Sequence, residues 1–118
     1  MRNVRDIRER YLRDQPAIRL GGLAASLARI ESFSDNDGHC DVVEGLIDEC
    51  KHFIEWTGAE VAPETQVLLV DIQRELARWH LTWGHIWANR NRRRQAAEQA
   101  GRWSQEVLVS AGLIPKGH

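Results

Sequence analysis

The residues that could do chemistry are few. Glu49-Cys50-Lys51-His52 contains the Glu-x-x-His spacing used by di-iron bundles, because side chains three apart on a helix can reach one metal. Such a centre needs a second Glu-x-x-His and two further inward glutamates, which the chain lacks, and Cys50 and His52 fall on opposite faces of the helix that would carry them. A solvated face with Asp48 and His52 spaced for pairing is the simpler reading. His39, Cys40, Cys50, His52, His80 and His85 contain no Cys-x-x-Cys or His-x3-His pair, so no zinc site is expected. Asp35-Asn36-Asp37-Gly38-His39 suggests a calcium loop, but Cys40 stands where an EF-hand needs glycine and Leu46 where it needs glutamate. Helix capping accounts for that run.

No Gly-x-Gly-x-x-Gly, P-loop or Gly-x-Ser-x-Gly string occurs, so no cofactor and no catalytic residue is assigned and the chain is not expected to be an enzyme. Two features remain as candidate binding groups. The first is the tryptophans. Trp79, Trp83 and Trp87 recur at i, i+4 and i+8; Trp79 and Trp83 lie inside an apolar arc and read as core, whereas Trp87 and Trp56 lie at the edges of their arcs and read as candidates for a partner surface. The second is Arg90, Arg92, Arg93 and Arg94, read as a loop cluster able to meet phosphates. Nucleic acid is nevertheless disfavoured, because the second helix of the first helical pair is acidic and Asp35 and Asp37 stand ready to neutralise the arginines.

The elements that must position these residues are helical, since apolar residues recur with a period near 3.6 and no stretch alternates over strand length. The expected class is all-α: an up-down-up-down four-helix bundle, with an N-terminal arm over 1–15 whose helix spans about 3–13. The helices are expected over about 16–33, 39–57, 63–88 and 92–111, with the bundle ending near residue 113. Pro16 and Pro63 suit first turns, and Gly112 with Pro115 ends the last helix. The stripes expected to face inward are Leu20, Leu23, Leu27 and Ile30; Val42, Val43, Leu46, Ile47, Cys50, Phe53 and Ile54; Leu68, Ile72, Leu76, Trp79, Trp83 and Ile86; and Ala96, Ala100, Trp103 and Val107. Short loops between antiparallel helices place Asp35 and Asp37 at the same end as the arginine run.

The 118 residues fit one domain. No apolar run approaches the roughly 20 residues of a membrane span, and the charged first 13 residues offer no signal core, so a cytoplasmic protein with both cysteines reduced is expected. The net charge of −1 hides strong segregation: residues 1–30 carry seven Arg against three acids, 31–60 one Lys against nine acids, and 89–118 six basic against two acidic residues. That separation predicts a protein–protein interaction module that self-associates, with a two-fold homodimer setting basic segments against the partner's acidic helix.

Tyr11-Leu12-Arg13-Asp14, Arg19-Leu20-Gly21-Gly22-Leu23-Ala24, Phe53-Ile54-Glu55-Trp56-Thr57, Ala77-Arg78-Trp79 and Arg102-Trp103-Ser104 together give the chain a resemblance over about residues 11–114. It resembles a family of small helical proteins seen in cyanobacteria, to which no established activity attaches. The resemblance implies a cytosolic, stand-alone protein and carries over no catalytic residue.

Overall fold

The structure, a computed structural model, describes residues 4–7 and 15–115. Among them the chain is helical throughout, with no strand: α1 (Pro16–Phe33), α2 (Cys40–Thr57), α3 (Pro63–Leu81), α4 (Trp83–Ala88) and α5 (Arg90–Ser110), with 3₁₀ turns at Asp37–His39 and Gly58–Glu60 and a helical turn at residues 4–7. The arm helix expected over 3–13 is thus seen at 4–7, and the rest of it lies outside the described residues.

Pro16 fills the first position of α1, where its missing N–H costs nothing, and Pro63 does the same for α3. At the other end of α1 Ser34 turns its hydroxyl back to the Ile30 carbonyl at 2.5 Å, adding a side-chain bond to a carbonyl at the helix end. Leu20, Leu23, Leu27 and Ile30 are buried as their spacing predicts. Apolar residues of all five helices join one core cluster.

The α1–α5 contact is the most extensive, followed by α1–α2 and α2–α3, whereas α3 and α5 meet over only a few residues. Ser104 of α5 donates to the Ala24 carbonyl of α1 at 2.7 Å, and the Cα of Gly101 lies against the Glu31 carboxylate, so a side chain there would displace it. Ser26 of α1 donates to Glu49 of α2 at 3.2 Å, and buried Arg19 pairs with Glu60 just beyond α2. Between α3 and α5 the stacked rings of Trp79 and Trp103, 5.2 Å apart, make the bridge.

Four expectations need correcting. The single helix expected over 63–88 breaks at Thr82 (φ −130°, ψ 30°), where the N–H of Thr82 bonds three residues back to Trp79. The break re-aims α4 so that the indole N–H of Trp83 reaches the Cys40 carbonyl at 3.1 Å and that of Trp87 reaches the Asp37 carbonyl at 3.2 Å. Next, α5 starts at Arg90 rather than 92, because Asn89 caps it by accepting from the Arg92 N–H at 3.1 Å; the arginine run is therefore a first turn and not a loop. In α2 the arc drawn from the sequence was too wide: Val43, Ile47, Cys50 and Ile54 are buried, and Val42 is exposed. In α3, finally, Leu69 takes the core position and Leu68 is only half-buried.

The stop at the end of α5 is a Schellman motif: the N–H of Leu113 bonds to the Leu108 carbonyl and that of Gly112 to Val109, both at 3.0 Å. It requires Gly112 at φ 72°, a conformation that disfavours any Cβ. Gly112→Ala is therefore expected to lose about 1–2 kcal/mol in urea denaturation, with no steric clash to blame, since nothing lies within 4 Å of the added carbon.

Candidate functional site

The turn after α1 and the first turn of α5 meet at one end of the molecule, which is where Asp37 and the arginine run were expected to converge. Arg93 sits 2.8 Å from the Asp37 carboxylate, with its guanidinium carbon 4.8 Å from the centre of the Trp87 ring. The same Asp37 gives its backbone carbonyl to the Trp87 indole N–H. Asn36 holds the turn by accepting from the Gly38 N–H at 2.8 Å, and the His39 ring bonds the Phe33 carbonyl at 3.2 Å. Arg93 is thus part of the scaffold, its side chain only 13% exposed.

Trp87 is 8% exposed and belongs to the core, so the partner-surface role read from its edge position does not hold. The turn at Thr82 is the reason, because it swings Trp87 under the 37–39 turn instead of letting it drift outward along a continuous helix. Trp56 is half-buried; it stacks on His52 (5.4 Å, 9°) and borders a shallow groove of about 540 Å³ with Val4, Ile7, Val42, Leu46 and Phe53, so the described turn of the arm already lies beside it.

Arg90, Arg92 and Arg94 remain exposed and make no ion pair with any described residue. They stand in or just after the first turn of α5, which carries no acid, against the positive end of the helix dipole. Each cation so placed is unfavourable by about 0.3–1 kcal/mol at low salt. Arg90 and Arg94 border a concave surface of about 690 Å³ facing Ser34, Asp35 and Asp37. Arg92 turns the other way, into a groove of about 740 Å³ between α3 and α5, with Gln95, Gln99 and Arg102 on its α5 wall and the Trp79–Trp103 stack at its floor. The sequence reading missed this groove. Its signal was the narrow alanine face of α5, which leaves Arg92, Gln95, Gln99 and Arg102 where a closed bundle would carry apolar side chains.

The Glu-x-x-His pair does not converge. Glu49 turns toward Ser26, whereas His52 lies 3.5 Å from Asp48 and 3.9 Å from Glu55. His80 lies between two residues of α2, Lys51 at 3.2 Å from Nδ1 and Glu44 at 3.4 Å from Nε2. A lysine ammonium only donates, so Nδ1 is the acceptor in that contact, while Nε2 faces the Glu44 carboxylate. Among the described residues no three His, Cys, Asp or Glu side chains group to hold a metal, and no helix is long and apolar enough to cross a membrane. Burial, then the nearby Glu49 carboxylate, pushes the Cys50 thiol up; burial followed by Asp41 and Glu44 does the same to Cys40. Both settings are the reverse of those that produce a nucleophilic thiolate. Comparison with protein-family models, with curated proteins and with solved structures finds no match to this chain.

Proposed function

We propose that the chain is a protein–protein interaction module that self-associates, most simply as a two-fold homodimer, working in the cytoplasm as an open up-down-up-down bundle of its four long helices. The observation that carries this reading is charge on α2 and α5 that no described residue of opposite sign satisfies. Among the described residues, only Arg93 of the four arginines at the start of α5 is paired with an acid, while on α2 Asp41, Asp48 and Glu55 are exposed and the last two face only His52. Opposite charges held apart by the fold are available to a neighbour, where they set register and association rate more than affinity.

Sedimentation at micromolar concentration should give about twice the 13.5 kDa chain mass, with dissociation promoted by salt. A single monomeric species at tens of micromolar would overturn the proposal. The exposure of Arg90, Arg92 and Arg94 against the helix dipole favours one other reading, a small regulatory protein that binds nucleic acid. In that case mixed-sequence DNA or RNA would bind with an affinity falling steeply with salt, and changing the three arginines to serine would remove it; no such binding is expected at physiological ionic strength.

A further inference from the structure

The self-association proposed above leaves open what each copy gives the other, and the groove along α2 supplies an answer. Its bed is Val42, Leu46, Phe53 and Trp56, which follow one another at helical spacing along one side of α2, with open space over Gly45 between the first two. Asp48, Glu49 and His52 interrupt the bed, and among the described residues no lysine or arginine lines it. An apolar bed broken by carboxylates fits a segment that is apolar at helical spacing and basic in between.

The N-terminal arm is such a segment. In the sequence Val4, Ile7 and Tyr11 recur three and four residues apart, and residues 1–15 hold five arginines against three acids. Its described turn already borders the groove at Val4 and Ile7. The hold is slight: of residues 4–7 only Ile7 is half-buried, Val4 is 49% and Val42 48% exposed, and the groove beside them stays open. A single helical turn has no stability of its own, so a contact this small opens at little cost. Other parts of a second copy fit less well. A copy laid groove to groove would set Asp48 and Glu49 against acids of the same kind. The other basic segment opens α5, where Arg93 is tied to Asp37 and the helix is packed along α1.

We infer that the arm of a second copy occupies this groove, each protomer giving its N-terminal arm to the partner's α2. The inference rests on the self-association reading and names what is exchanged. Exchange repeats between copies the contacts that Val4 and Ile7 make within one chain, so no new complementary surface is required, and two-fold symmetry closes the pair. It also sets the arginines of each arm against the acidic helix of the other protomer, which is the pairing that the charge separation along the chain calls for. The apolar bed supplies the buried area, and the carboxylates within it fix the orientation of the arm.

The test uses the full chain with Cys40→Ser as background, which leaves buried Cys50 as the remaining native thiol. One chain carries Val4→Cys and another Val42→Cys; the two are unfolded, mixed, refolded together and treated with a short bismaleimide, with far-UV circular dichroism to show that the helix content returns. A covalent heterodimer is expected, in clear excess over the yield from Val4→Cys mixed with Val67→Cys, whose exposed thiol stands on α3 outside the groove. Independently, Val42→Arg sets a cation against the incoming arginines and should weaken the dimer at least ~10-fold in sedimentation equilibrium, whereas Val67→Arg should leave it unchanged. A dimer that gives no heterodimeric crosslink above that background, or that is indifferent to Val42→Arg, overturns the arm exchange but leaves self-association standing. A wild-type monomer overturns both. Should Val42→Arg not fold, the crosslink decides the matter alone.

Discussion

Replacing Trp83 by alanine should lower the unfolding free energy by about 3–5 kcal/mol, the usual range for truncating a large core aromatic. Trp83 is 2% exposed and lies in the middle of a row, 6.5 Å from Trp79 and 5.7 Å from Trp87 between ring centres. Truncation removes that contact area, leaves a cavity between α4 and the start of α2, and takes away the donor that satisfies the Cys40 carbonyl. The last loss is separable, because Trp83→Phe keeps most of the ring and discards only the N–H and the ring's outer part. It should cost clearly less than alanine. Urea denaturation followed by far-UV circular dichroism measures both, and an alanine cost below about 1 kcal/mol would contradict the packing described. Against a total stability of about 5–15 kcal/mol, the larger figure brings the chain close to unfolding at room temperature.

Ala100→Leu should also destabilise, by about 1–3 kcal/mol, although leucine is the more apolar residue and nearly as good a helix former. Ala100 is fully buried, on the face of α5 that packs most extensively in the molecule. One turn later Ser104 bonds the backbone of α1, and next to it Gly101 admits the Glu31 carboxylate. Backbones held this close leave no volume for three more carbons, so the helices must part or the side chain must leave its rotamer. Leucine introduced instead at exposed Gln105 (Gln105→Leu) provides the control; it should move stability by less than about 0.5 kcal/mol. Thermal or urea unfolding of the pair distinguishes overpacking from a general effect of added hydrophobicity. Equal stability of Ala100→Leu and the parent would mean that the α1–α5 contact is looser than the Ser104 bond requires.

Much of this architecture was legible in the sequence because it depends on interactions over a few residues. The 3.6-residue period of Leu20, Leu23, Leu27 and Ile30 marks α1, Pro16 and Pro63 open helices for reasons local to the peptide bond, and Gly112 closes α5 because that turn needs a positive φ. Short connections even foretold that Asp37 would meet the arginine run, as it does at Arg93. The period alone could not show that the helix beginning at Pro63 stops at Leu81. Nothing in Leu81-Thr82-Trp83 forbids continuation; the break is held by indole bonds from Trp83 and Trp87 to carbonyls 43 and 50 residues earlier. Those same bonds bury Trp87, which a helical wheel puts at an edge. Nor could the stripes show that α3 and α5 stand apart, since that follows from how closely the small residues of α5 let it approach α1. Sequence by itself determined where helices form and which charges they carry. Only the tertiary structure decided which charges are consumed inside the chain and which are left facing outward, because that depends on pairings between residues far apart along it.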